Sequence, residues 1–527
     1  MLTSVVMGAA FSGGGAFAQG QSLVTLSAND GGLELTGELK EIRDGFYFLD
    51  VPSLGLMQVR IDLVACIKGC EWLAPVEPQF GIYGSRTVGT TLIPNLLRGY
   101  AESVGASYEL LATDEAAERI IILTNADGSI RAEIDLQSRG SGSAFPALAE
   151  GFADIGVADR RMKDSDVAKI AAFGVPDLRD TESELVLGVD GIVMITNPNN
   201  PVRNLSSMDI AKIWSGEITN WLELGGGNVP ILVNSFGEGS GDRAVMMDAL
   251  VRPNGRDEDA DVTRWGAYQD MVDSVMAEPG GIGFVGRWLA RTNDVNLLTI
   301  RETCGLLSPP TDFRMKIEGY ALSRRLYAYT RPGSIHPEAQ AFLDWTATSE
   351  AQAYIKESNF IDRELERMRL EDMGMMLIHT AAVEPDFNGA QYSSMMRELR
   401  GADRLSISFR FTTGSSNLDV ESIRNIQELA TRMDAGEFEG LEVLLVGFAD
   451  SVGDRVRNTR LAESRANAVR NILQQALLPE TVRDLRLTPL SYGELLPLSC
   501  NDAEVGRARN RRVEVWLRLP DSRSNLR

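Results

Sequence analysis

Histidine is almost missing from this chain, with two in 527 residues. His336 stands beside Pro337 and His379 lies in a Met-rich stretch, so no Ser-His-Asp set suggests itself. Cysteine is scarce too. Cys66, Cys70, Cys304 and Cys500 are the four, and none has a histidine at zinc-ligand spacing. No metal site and no cofactor is expected, and Gly239-Ser-Gly241 lacks the full nucleophile-elbow pattern. These absences point away from an enzyme. Positive charge is in deficit, 52 Lys and Arg against 74 Asp and Glu, for a net charge of −22. That balance disfavours nucleic acid and anionic lipid surfaces, although a local pocket can still oppose the global sign for a small anion. Beyond the first residues no apolar run reaches the length of a membrane span.

What is present is the composition of a globular protein, 44% hydrophobic and 7% aromatic, long enough for about three domains. Met1 to Ala18 is small and apolar and ends Ala16-Phe-Ala18 before Gln19, an A-x-A cleavage pattern without the usual positive start. It reads as an export signal over residues 1–18, with a buried N-terminal strand as the rival. No cysteine follows it, so a lipid anchor is not expected. Cys66 and Cys70 are close enough for a local disulfide; Cys304 and Cys500 either pair across domains or are two buried thiols.

Residues 19–75 alternate apolar and polar positions between turn signals, which predicts a small β module. Over 76–362 strand and helix patterns alternate, the signature of α/β architecture, with buried strands such as Gly191-Ile-Val-Met-Ile-Thr196 and Gly281-Ile-Gly-Phe-Val285. Residues 363–400 are charged, Met-rich and helical in flavour and read as a connector. Residues 401–520 form a further α+β unit, and 521–527 a tail.

Three glycine-rich turns punctuate the middle region: Gly84-Ser-Arg-Thr-Val-Gly89, Ser138-Arg-Gly-Ser-Gly142-Ser and Gly237-Glu-Gly-Ser-Gly241-Asp-Arg243. Each precedes a helical pattern. Glycine lets the backbone come close, and amides with short hydroxyls donate to an anion. One such turn is an ordinary helix cap; three converging from separate strands make an anion site.

Near the C-terminus an apolar run, Leu441 to Gly447, leaves Asp450 at its exit. From Val456 a helical pattern places Asn458, Leu461, Ala462 and Arg465 on one face. A carboxylate and a guanidinium held apart suit a zwitterion; equally, Asp450 and Arg465 could form a structural ion pair. A third segment, Gly506-Arg-Ala-Arg-Asn510-Arg-Arg512-Val, is read as structural because the chain lacks a broad basic surface.

These C-terminal segments, with Phe411-Thr-Thr-Gly-Ser-Ser-Asn-Leu418 upstream, resemble the OmpA-like peptidoglycan-binding domain over roughly residues 404–519. The resemblance implies that Asp450 and Arg465, with Asn458 beside them, grip diaminopimelate in the wall peptide. The order of the glycine turns resembles the periplasmic phosphate-binding proteins of ABC transporters over about 80–362. Ala153-Asp-Ile-Gly-Val-Ala-Asp159-Arg, Asp209 to Trp221 and Gly319-Tyr-Ala-Leu-Ser-Arg324 support it. It implies a two-lobed periplasmic-binding-protein fold with ligand in the cleft. Thr87 and Val88 fall in the first loop, Ser141 in the second, Ser240, Gly241 and Arg243 in the third, and Asp159 would accept a proton of the oxyanion. Taken alone, Asp159 reads equally as a turn carboxylate. The chain departs from the pattern twice. Phe236 stands where the family often has arginine, and Asp242 where it has threonine. Arg139, Arg160 or Arg243 would have to replace the lost guanidinium, and Asp242 either pairs with Arg243 or repels the ligand.

The expected protein is a non-catalytic periplasmic receptor for phosphate or a similar oxyanion, anchored to peptidoglycan and associated with the wall or the outer membrane. An ABC-transporter permease is its implied membrane partner. The alternative is a structural or sensory wall protein whose cleft no longer takes a small anion.

Overall fold

A computed structural model describes residues 23–28, 33–43, 46–52, 54–68 and, from 79 to 520, all but 114, 116, 239, 260, 384–386, 412–414 and 416. The expected export signal, the tail and Cys70, with its expected pairing to Cys66, lie outside the described residues. The chain divides into two compact units, 1–78 and 79–527.

The first unit is a five-stranded antiparallel sheet in the order Gly55–Arg60, Phe46–Val51, Glu34–Arg43, Leu23–Ala28, Val64–Lys68. Alternation does what it predicts. Val24 and Leu26, with Tyr47, Leu49 and Val51, turn to one side and form its core.

In the second unit one continuous sheet runs through two lobes. Ser107–Ala112, Glu118–Thr124, Ile130–Gln137, Gln79–Gly84 and Ile155–Ala158 make the first lobe; Gly281–Gly286, Leu232–Phe236 and Thr263–Trp265 make the second. Glu184–Thr196 and Ser323–Thr330 cross between them as an antiparallel pair, Glu184 opposite Tyr329 and Gly191 opposite Ser323. At 13 residues the first of these is long enough to serve both lobes. Its far half, from Ile192, pairs with Gly281–Gly286 instead. Each lobe has its own core, one around Ile82, Leu96 and Phe342, the other around Trp214, Trp221 and Phe284.

The C-terminal region is a second sheet, ordered Arg367–Arg369, Asp403–Arg410, Arg512–Arg518, Glu442–Gly447, Arg486–Ser491. Val420–Asp434 and Arg455–Ala476 cover one face, with Leu429, Met433, Val469 and Leu473 buried. The other face is covered from the stretch read as a connector. Met373 and Leu377, followed by Met395 of Gly389–Glu398 and Leu399 just after it, fill that core. The stretch therefore also contributes the edge strand Arg367–Arg369, which its composition did not announce.

This region grips both lobes. On the first, Arg424 pairs with Glu184 at 3.4 Å, and Arg363, itself paired with Glu428 at 3.0 Å, donates to the Val186 carbonyl at 3.1 Å. On the second, Cys304 and Cys500 are joined in a disulfide, and the Cys500 amide donates to Glu302 at 2.8 Å. Arg410 pairs with Glu318 at 2.8 Å. The open choice for Cys304 and Cys500 thus resolves to a cross-link.

Candidate functional site

The three glycine turns come together between the lobes. The first follows Gln79–Gly84, where Gly84 has φ of +147° and an added Cβ would lie 1.9 Å from the Val157 carbonyl oxygen. Only glycine permits that approach. Thr87 is buried, its hydroxyl 3.4 Å from the Tyr268 hydroxyl on the second lobe. Val88 packs into the first lobe's core, and its amide donates to Ser85 Oγ at 3.3 Å.

The second turn ends at Gly140, and Ser141 opens the helix Ser141–Glu150. The Ser141 hydroxyl donates to the Asp159 carboxylate and accepts from the Asp159 amide at 3.0 Å. In the third turn the Ser240 hydroxyl caps Gly241–Met246 by accepting from the Arg243 amide, which leaves Asp242 in the first turn, 1% exposed.

At the centre stands Arg324, on the crossing strand. Its Nη1 donates to Asp242 at 2.5 Å and to Asp159 at 3.3 Å; Nε and Nη2 donate to Asp190 at 3.2 and 2.8 Å. Asp159 comes from the first lobe, Asp242 from the second and Asp190 from the crossing strand. One guanidinium therefore ties all three parts together. Burial alone would weaken its charge, but the three carboxylates outweigh that and hold the Arg324 pKa far above the ordinary value. Asp242 shifts up. Burial is the largest cause, Arg324 opposes it, and Asp159 and Asp190 add like-charge repulsion. The second oxygen of Asp242, Oδ2, is buried without a hydrogen-bond partner.

Several sequence expectations need correction here. Arg139 pairs with Glu115 and Glu118, Arg160 with Asp166, and Arg243 with Glu258 at 2.9 Å, so none replaces the missing guanidinium. Asp242 pairs with Arg324, not with its neighbour Arg243. Phe236 is buried among Tyr268 and Phe284, at ring separations of 5.0 and 5.4 Å. The sequence reading does not single out Arg324, Asp190 or Tyr268. Asp190 carried a signal, since it is one of two acids in the otherwise apolar strand Glu184–Thr196, and a buried acid demands a partner.

The C-terminal candidates gather around the N-terminal half of Arg455–Ala476. Asp454 caps that helix by accepting from the Arg457 amide at 2.9 Å. Asn458 is buried and donates to Glu494 at 3.1 Å. Arg465 is fully buried, its guanidinium 5.1 Å from the Phe411 ring centre. Its Nε and Nη2 both donate to the Ser415 carbonyl at 3.2 Å, while Nη1 has no hydrogen-bond partner among the described residues. Burial first, then the like charge of Arg511, pulls its pKa down to about 10 against the opposing pull of Asp450. Asp450 pairs with Arg511 at 3.0 Å, so the alternative of a structural Asp450–Arg465 ion pair is not made. The remaining basic cluster is spent on structure. Arg512 pairs with Glu514 at 2.7 Å and lies over Phe448, and Arg509 donates to the Ala321 carbonyl.

Comparison with known proteins matches a PBP superfamily domain to residues 105–350 and the OmpA family to 410–511. The C-terminal part of the chain belongs to the OmpA family, and a PBP-like domain precedes it. Its PBP domain is similar to the phosphate-binding protein PstS of Bacillus subtilis, 25% identical over 295 residues, 54% of this chain and 86% of that protein. Its OmpA domain is similar to the peptidoglycan-associated lipoprotein of Pseudomonas putida, 35% identical over 140 residues, 26% of this chain and 79% of that one. Among solved structures, an ABC-type phosphate transport receptor from Vibrio cholerae aligns at 19% identity with a TM-score of 0.40, covering 54% of this chain and 99% of its own.

Proposed function

We propose that the protein is a non-catalytic receptor of the periplasm that binds phosphate or a similar oxyanion between its lobes and clasps peptidoglycan through its OmpA domain. The observation that carries the receptor half is the meeting of the three glycine turns at one place: Asp242 and Asp159 pair with the buried Arg324 guanidinium, Ser141 holds Asp159, and Thr87 meets Tyr268 across the lobes. Arg324 supplies the positive charge that Phe236 cannot. Asp159, held by Ser141, is the acceptor for a proton carried by the ligand. The names of the relatives support the same reading, phosphate binding for the PBP domain and peptidoglycan association for the OmpA domain. The wall half rests on Arg465, whose buried Nη1 has no hydrogen-bond partner among the described residues and would be the donor to a ligand carboxylate, with Asp450 and Asn458 to meet an ammonium group. A permease that accepts ligand from the two lobes is the implied membrane partner.

Calorimetry with inorganic phosphate tests the first half. Binding is expected at millimolar affinity or better and should vanish in Ser141→Ala and Asp159→Ala; no heat with any oxyanion would remove the receptor role. Pull-down on purified peptidoglycan tests the second half, with retention expected for the native chain and loss for Arg465→Ala.

A second reading has an observation of its own. Asp242 already occupies an Nη1 donor of Arg324 between the lobes, which favours a structural or sensory wall protein with a retired cleft. An ordered phosphate between the lobes in a soaked crystal would count against it.

A further inference from the structure

A ligand-binding guanidinium normally keeps donors free for the ligand. Arg324 keeps few. Of its five N–H groups, Nε–H and one on Nη2 go to Asp190, and the Nη1 pair goes to Asp159 and Asp242. Asp190 and Asp159 are fixed from elsewhere, Asp190 on the crossing strand and Asp159 by the Ser141 hydroxyl. Asp242 is different. It enters from the second lobe at the start of Gly241–Met246, and its Oδ1 makes the contact from lobe to guanidinium that a bound oxyanion would make. Its Oδ2 is buried and unpartnered, although a settled carboxylate in an interior normally accepts at both oxygens. The other donors around the cleft centre, the Thr87 and Tyr268 hydroxyls, bond each other across the lobes rather than Asp242.

We infer that Asp242 is a built-in competitor for the ligand: its carboxylate holds Arg324 where an oxyanion would, and so sets how tightly the cleft takes inorganic phosphate. This rests on the receptor reading above and deepens it by naming the residue that limits affinity. An incoming phosphate must displace Asp242 from Nη1 and then sit beside a displaced negative charge. Both effects oppose binding. Removing the charge while keeping the shape should release the site. Threonine at 242, the residue of the phosphate-binding pattern, should also add a hydroxyl donor.

The test is calorimetry with inorganic phosphate on the full chain at neutral pH, for the native protein, Asp242→Asn, Asp242→Thr and the double variant Asp242→Asn/Ser141→Ala. Both single variants should bind at least about tenfold more tightly than the native chain, as removal of one close like charge implies. The double variant should lose that gain, which would locate it in this cleft. If Asp242→Asn and Asp242→Thr fold, judged by an unchanged far-ultraviolet spectrum, and bind no more tightly than the native chain, the competitor role is wrong while the receptor reading stands. If neither the native chain nor any variant binds phosphate, the receptor reading falls and the competitor role goes with it.

Discussion

Arg324 and Arg465 are both buried, and the fold treats them in opposite ways. Arg324 faces three carboxylates; Arg465 is met by one main-chain carbonyl and an aromatic ring, with Nη1 left over. The cleft centre has more acid than base, and Arg465 is a base without an acid bonded to it. Spare hydrogen-bonding capacity, not the presence of a charge, is what a site offers a ligand. By that measure Arg465 keeps a donor unused among the described residues, while Arg324 has given four of its five to carboxylates. Glu318 is the mirror image of the cleft, one carboxylate between Arg325 and Arg410, each at 2.8 Å. Burial works against its charge, but the two guanidinium groups prevail and hold its pKa down at about 2.

Breaking the saturated site should do most damage. Arg324→Leu strands Asp190 and Asp242 in the interior, so unfolding free energy should fall by about 3–5 kcal/mol in urea titrations. A loss below about 1 kcal/mol would mean the carboxylates do not depend on it. Next comes Glu318→Gln, expected to lower stability by about 1–3 kcal/mol at neutral pH. A carboxyl held below its ordinary 4.5 stabilises above that value and loses its contribution as pH falls toward about 2. The gap between native chain and variant should therefore close across that window, and a constant gap would contradict the assignment.

Asp242 carries the reverse sign. Its pKa is raised above the ordinary 3.8, so its favourable contribution is present below that value and is lost as pH rises through the raised one. Asp242→Asn should accordingly be more stable than the native chain at neutral pH, by about 1 kcal/mol, with the gain fading below pH about 4. Thermal melts across pH would show it; equal curves would not fit. The smallest effect belongs to the unsaturated site. Replacing Arg465 by leucine strands no bonded carboxylate, so stability should move by less than about 1 kcal/mol while retention on peptidoglycan is lost. A large destabilisation would make Arg465 a structural residue.

Local chemistry was legible and long-range pairing was not. The glycine turns declared themselves because a backbone that must approach within contact, as at Gly84, tolerates no other residue, and because Ser141 and Ser240 open helices. The Asn458 to Arg465 face followed from helical spacing alone. Arg324 gave no local sign of its role, since its partners Asp190 and Asp242 lie 134 and 82 positions away. The nearer arginines 139, 160 and 243 looked equally suitable until each proved to have an acid of its own. Arg367–Arg369 likewise became a strand only because the edge of Asp403–Arg410 was there to receive it.

The attachment of the OmpA domain to both lobes has a mechanical consequence. Its covalent link to the second lobe through Cys304–Cys500, together with Arg424–Glu184 and the Arg363 bridge from Glu428 to the Val186 carbonyl on the first, makes a strut across the joint. The lobes cannot swing apart unless the ionic end of that strut slips, because the covalent end holds. Any opening of the joint therefore has to break these largely buried ion pairs first, while the covalent end stays in place.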